Sequence, residues 1–103
     1  MNLPKTIAVD FDGTLCENKY PKIGEPKTDV ISRLISEQAN GAKIILWTCR
    51  EGKLLAEAVK WCNMRGIYFD AVNENIKERI DFFKGDLRKI GADEYLDDKA
   101  VKV

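Results

Sequence analysis

Asp10 and Asp12 stand one residue apart in the stretch IAVDFDGTL, where strand-forming apolar residues stop at two carboxylates, a glycine and a threonine. Carboxylates so placed have two chemical uses. One can attack phosphorus, dividing the hydrolysis of a phosphate ester into formation and breakdown of an aspartyl phosphate. The other can give a proton to the leaving oxygen and later take one from the attacking water. Asp10, at the end of the run, is the candidate nucleophile, and Asp12, on the turn beyond it, the candidate general acid/base. The chain contains no histidine, so proton transfer falls to carboxylate, lysine, tyrosine or cysteine. Gly13 permits a tight turn that points backbone N–H groups at phosphate oxygens. Phe11, Gly13 and Thr14 are therefore substrate-binding candidates.

The elements that must position these groups alternate between strand and helix. Thr6–Val9 is β-branched and apolar without polar alternation, as in a strand covered on both faces. Residues 16–26, with Asn18, Pro21, Gly24 and Pro26, read as loop. Val30, Ile31, Leu34, Ile35 and Ala39 fall at helical spacing, with Thr28 as the expected cap and Gly41 as the stop. KIILWT, residues 43–48, is a second strand; Leu54, Leu55, Ala58, Val59 and Cys62 mark a second amphipathic helix, which Gly66 ends. IYFDAV, residues 67–72, reads as a third strand, residues 74–84 as a weaker helix, and EYLDD and AVKV as short fourth and fifth strands. This order implies an α/β fold with a mainly parallel sheet, whose functional residues gather beyond the carboxyl ends of the strands.

That rule selects positions far apart in the chain. The strand ends carry Asp10 and Asp12, then Thr48 with Cys49 and Arg50, then Asn73, and then Asp97 and Asp98. Carboxylates crowded at one edge repel one another and need protons or a cation, and an all-oxygen set suits Mg²⁺. Asp97 is the expected direct ligand with Asp98 beside it, joined by Asp10 and the Asp12 carbonyl. Thr48 offers a hydroxyl to a phosphate oxygen, Arg50 a guanidinium for a second anionic group of the substrate, and Cys49 lies between them.

In order along the chain, the hydrophobic strand followed by DxDGT, the strand IILWT and the strand EYLDD resemble the motifs of the haloacid dehalogenase superfamily of phosphohydrolases over residues 6–101. The resemblance implies a three-layer sandwich around a Rossmann-like sheet and Mg²⁺-dependent phosphatase activity through an aspartyl phosphate. It also implies a lysine that stabilises the transferring phosphoryl group: Lys89 by its place shortly before EYLDD, with Lys84 and Lys99 as alternatives. Relatives insert cap domains at intervals that here span only residues 15–27 and 73–88, so a capless member is expected. An open site suits a phosphate carried on a macromolecule, or a phosphorylated small molecule whose site a second copy of the chain closes.

Composition bounds the rest. The chain has 103 residues, enough for a single domain. Lysine plus arginine and aspartate plus glutamate number 17 each, so charge gives no indication of nucleic acid or an anionic membrane as partner. No apolar run approaches the roughly 20 residues that cross a bilayer, and MNLPKTIAVD lacks a signal-peptide pattern, which makes the cytoplasm the expected location. Three cysteines without CxxC spacing argue against structural zinc. Gly13 comes too early for an EF-hand loop. Two other function classes remain: a receiver-like phospho-accepting domain and a non-catalytic binding module. A receiver places its acceptor aspartate after the third strand, and here AVNEN follows, with Asp70 near the strand's start.

Overall fold

Thr6–Val9 forms β1, every residue of it buried, because an unbroken apolar run leaves neither face of a strand for water. The computed structural model describes residues 5–74 and 92–97. In chain order the other elements are β2 (Cys16–Lys19), β3 (Lys22–Pro26), α1 (Thr28–Ala39), β4 (Lys43–Leu46), α2 (Gly52–Asn63), β5 (Ala71–Val72) and β6 (Glu94–Leu96). The main sheet runs β5-β4-β1-β6, and every pairing in it is parallel. Val9 lies opposite both Leu46 and Leu96, so β1, β4 and β6 finish at the same level.

The two helices cover one face. Ile31 and Leu34 of α1 and Ala58 and Cys62 of α2 are buried in one cluster with Ile7, Val9, Ile44 and Leu46. Alternate residues of the same strands, Ala8 and Ile45 with Ala71, form a smaller cluster, as the two-residue period of a strand requires. Arg33 of α1 pairs with Glu94 of β6 and with Glu37 one turn on, tying the helix to the outer strand. Both glycines expected to end helices have positive φ, 97° at Gly41 and 94° at Gly66, a region glycine enters without a Cβ clash.

Several boundaries differ from the sequence expectation. Residues 16–26, expected as loop, form an antiparallel hairpin of β2 and β3 with a cis Tyr20–Pro21 bond at its tip. The α1 cap position is Lys27 rather than Thr28, without a side-chain capping bond. The third strand shrinks to Ala71–Val72 because the Gln38 side chain accepts from the Tyr68 N–H and donates to the Tyr68 carbonyl, which takes that backbone out of the ladder. β4 stops at Leu46, since the Thr48 N–H turns to the Asn73 side chain. Most of the helix expected at 74–84, and the strand AVKV, lie outside the described residues.

Candidate functional site

The ends of β1, β4 and β6 form one edge. The Asp10 N–H donates to the Leu96 carbonyl at 2.9 Å and the Trp47 N–H to the Val9 carbonyl at 2.9 Å, which sets Asp10, Trp47 and Asp97 side by side just beyond the strands. Asp10 and Asp97 border a hollow of about 40 Å³ together with Trp47 and Tyr95. Thus the sheet brings together two carboxylates that are 87 residues apart in the chain (97 − 10). Asp98, Lys89, Lys84 and Lys99 lie outside the described residues.

The DxDGT segment closes on itself. Thr14 and Leu15 N–H groups donate to the Phe11 carbonyl at 3.2 and 3.0 Å, and the Gly13 N–H donates to the Cys16 carbonyl at 2.8 Å, with Gly13 at φ 90°. The Phe11 N–H donates to Asp10 Oδ1 at 2.8 Å. In this arrangement the turn satisfies the Phe11, Gly13 and Thr14 N–H groups internally. The Phe11 ring is fully buried, edge-on to Trp61 with ring centres 5.5 Å apart. Thr14 Oγ1 is buried with no partner among the described residues.

Arg50 is where the structure departs furthest from the sequence expectation. Expected to reach the substrate, it is 1% exposed and turned inward. Its Nε and Nη2 donate to Asp12 Oδ2 and Oδ1, both at 2.8 Å, in the two-pronged geometry that matches guanidinium to carboxylate. Nη1 donates to the Pro21 carbonyl at 3.2 Å and Nη2 also to the Lys22 carbonyl at 3.1 Å. Its guanidinium carbon lies 5.0 Å from the Phe11 ring centre and 5.1 Å from that of Tyr20, within cation–π range of both. The bond to Asp12 pushes the Arg50 pKa above its already high value, against the effect of burial. Removing one partner from a buried pair of this kind costs about 3–5 kcal/mol.

Thr48 is held from two sides. Its N–H donates to Asn73 Oδ1 at 2.7 Å, and its Oγ1 accepts from the Arg50 N–H at 3.1 Å, which leaves the hydroxyl hydrogen to donate elsewhere. Asn73, at φ 55°, adopts the left-handed conformation that asparagine tolerates better than most residues, and its own N–H donates to the Leu46 carbonyl at 2.7 Å. Of the cysteines, Cys49 is exposed at this edge, whereas burial raises the thiol pKa of Cys16 and pushes that of Cys62 up to about 12, so these two are not thiolates near neutral pH.

On the α1 side of the motif a larger cavity, of roughly 470 Å³, lies among Gly13, Thr14, Lys27, Arg33, Leu96 and Asp97. Lys27 Nζ donates to the Gly13 carbonyl at 2.8 Å there. Local spacing gave no signal for the roles of Lys27, Asn73 and the inward-facing Arg50, because each depends on a partner at least 14 residues away.

Among the described residues no three acidic or thiol side chains could together hold a metal ion. The same is true of helices long and apolar enough to cross a membrane: none is found among them. No protein-family model matches the chain, and no curated protein does. Among solved structures, it is similar to a conserved protein coded by a locus from Bacteroides thetaiotaomicron, with a TM-score of 0.83 and 43% identity, over 96% of this chain and 79% of that one.

Proposed function

The chain belongs to the family of that conserved Bacteroides thetaiotaomicron protein, and from the residues gathered at its strand ends we propose that it is a Mg²⁺-dependent phosphatase acting on a phosphomonoester. The observation that carries the proposal is the edge itself. Asp10 ends the central strand, Asp97 ends its neighbour, and Thr48 and Asp12 stand just beyond the same level. Asp10 attacks phosphorus to give an aspartyl phosphate, and Asp12 handles the proton on the leaving oxygen and then on the attacking water. Thr48 donates its hydroxyl to a phosphoryl oxygen, in an orientation that Asn73 and Arg50 maintain. Lys89 supplies the cation beside the phosphoryl group, with Lys84 and Lys99 as the other lysines in reach of this role by sequence.

The donor set fits Mg²⁺. That ion is usually held by one or two carboxylates and completed by water and substrate oxygens, and Asp10 and Asp97 border one small hollow. Asp98 and the Asp12 carbonyl are the further candidates. When bound, the ion supplies charge neutralisation between the acids and polarises the phosphoryl group.

On this reading the fold is a haloacid dehalogenase-type three-layer sandwich without a cap domain, and the β2–β3 hairpin covers the 15–27 position. The substrate is a phosphorylated small molecule or macromolecule, its non-reacting part seated in the larger cavity, with a second copy of the chain as a further closing element and the cytoplasm as the place of action.

The receiver-like alternative is disfavoured by Asp70. It precedes β5, and its Oδ2 accepts from the Ile44 N–H at 2.8 Å at the opposite end of the sheet.

The test is phosphate release with Mg²⁺ and with EDTA from phosphorylated sugars, nucleotides, phosphopeptides and end-phosphorylated oligonucleotides, wild type beside Asp10→Asn. Metal-dependent release that disappears in the folded variant is expected. An active Asp10→Asn protein would overturn the mechanism, and no release from any substrate by folded, Mg²⁺-binding protein would favour the binding-module class.

A further inference from the structure

Arg50 joins three segments that are distant in sequence. Its guanidinium grips both oxygens of Asp12, donates to the carbonyls of Pro21 and Lys22 at the hairpin tip, and lies between Phe11 of the motif and Tyr20 of the hairpin. Its backbone N–H reaches Thr48 Oγ1 as well. We propose that Arg50 is a positioning residue that couples the tip of the β2–β3 hairpin to Asp12, so that the hairpin sets where Asp12 stands when it moves a proton at the leaving oxygen.

The inference rests on the phosphatase reading and on the proton role of Asp12. Its physical basis is the shape of the contact. A guanidinium is planar, and two parallel N–H bonds fix the carboxylate's plane as well as its distance. Two of the three other N–H groups of the same plane donate to the hairpin, so a rotation of Asp12 is a rotation of Arg50 and loosens the Pro21 and Lys22 bonds. The 11-residue hairpin (16–26) thereby bears on where Asp12 stands.

A purely structural Arg50 would only dock the hairpin on the core, and leaving-group chemistry separates the two roles. Benzyl phosphate releases a poorly acidic alcohol and needs a proton, whereas 4-nitrophenyl phosphate releases a stable phenolate and does not. Two variants probe the link: Arg50→Lys keeps the charge and loses the fork, and Tyr20→Ala removes an exposed ring, so that it folds even where the buried change does not. kcat/KM is measured for both esters, with Asp12→Asn as the reference.

Asp12→Asn is expected to lose about 10²–10⁴-fold more on benzyl phosphate than on 4-nitrophenyl phosphate. Arg50→Lys is expected to show the same selective loss at about 10-fold, and Tyr20→Ala at about 3-fold, as progressively weaker disturbances of one proton transfer. Hydrogen exchange of residues 16–26 should quicken in Asp12→Asn, since the coupling runs both ways.

Equal losses on the two esters in active Arg50→Lys, or an unchanged ratio in Tyr20→Ala, would overturn the coupling and leave the phosphatase reading standing. Wild-type turnover of 4-nitrophenyl phosphate alone, with Asp12→Asn no slower, would remove the proton role of Asp12 and the inference with it. Folded wild type that hydrolyses neither ester in Mg²⁺ would overturn the phosphatase reading, and the inference would fall with it.

Discussion

Asn73 shows how one exposed side chain can decide the placement of a proposed site residue. Its φ of 55° is strained for alanine, and its Oδ1 is the acceptor that turns the Thr48 N–H away from the strand ladder. Asn73→Ala should therefore lose about 1–2 kcal/mol from the backbone conformation and about 1 kcal/mol from the hydrogen bond. Asn73→Gly removes the first cost and keeps the second. Urea denaturation should rank wild type above Gly and Gly above Ala, while phosphate release falls in both variants because both lose the Thr48 contact. Equal stability of the Gly and Ala variants would show that the φ angle carries no strain, and full turnover in both would show that Thr48 is placed without Asn73. In the sequence, Asp10, Thr48 and Asp97 could be placed at one sheet edge because each follows a recognisable strand, and Asp12 because it lies on the turn after the first. Asn73 and Arg50 were visible as residues at the same edge, but not in their roles. A hydrogen bond from residue 50 to residue 12 leaves no trace in periodicity, and a guanidinium looks the same in sequence whether it faces substrate or a carboxylate.

At the scale of elements, β1, α1, β4 and α2 follow from hydrophobic pattern because each buries a face whose spacing fits its own period. The β2–β3 hairpin does not. Glu17, Asn18 and Lys19 are all exposed, so no apolar alternation marks the strand, and Pro21, Gly24 and Pro26 read as loop residues. What makes it a hairpin is a close approach of backbones. A Cβ built on Gly24 would collide with the Glu17 carbonyl oxygen and stand 2.8 Å from Lys19 Cγ. Gly24→Ala should consequently force β2 and β3 apart, at about 1–3 kcal/mol of global stability, since the sheet and helices do not depend on residue 24. Hydrogen exchange is the direct measurement: amides of residues 16–26 should exchange faster while those of β1 and β4 remain protected. An unchanged exchange pattern with unchanged stability would mean that the hairpin accommodates the methyl group, and that this close approach does not hold it together.

Across the whole molecule the parallel sheet sorts its acids by end. At the amino ends of the strands, Asp93 Oδ2 accepts from the Thr6 N–H at 2.7 Å and Asp70 Oδ2 from the Ile44 N–H at 2.8 Å, so those carboxylates pin neighbouring strands together. At the carboxyl ends, Asp10 and Asp97 are neighbours across the β1–β6 pairing and carry like charge. A divalent cation that binds these carboxylates only in the folded state stabilises that state. A ligand at ten times its Kd adds about 1.4 kcal/mol, and for a domain near 100 residues each kcal/mol moves Tm by about 4–8 °C. Mg²⁺ at that ratio should raise Tm by roughly 5–10 °C, and EDTA should reverse the rise. Asp10→Asn removes one of the proposed ligands, so its Tm response to Mg²⁺ should largely disappear. Asp97→Asn should behave in the same way, since both carboxylates are proposed to hold one ion. Two further outcomes would count against the shared site. A wild-type Tm indifferent to Mg²⁺ would show that no ion is held at this edge, and a full Mg²⁺ response in both variants would place the ion elsewhere on the molecule.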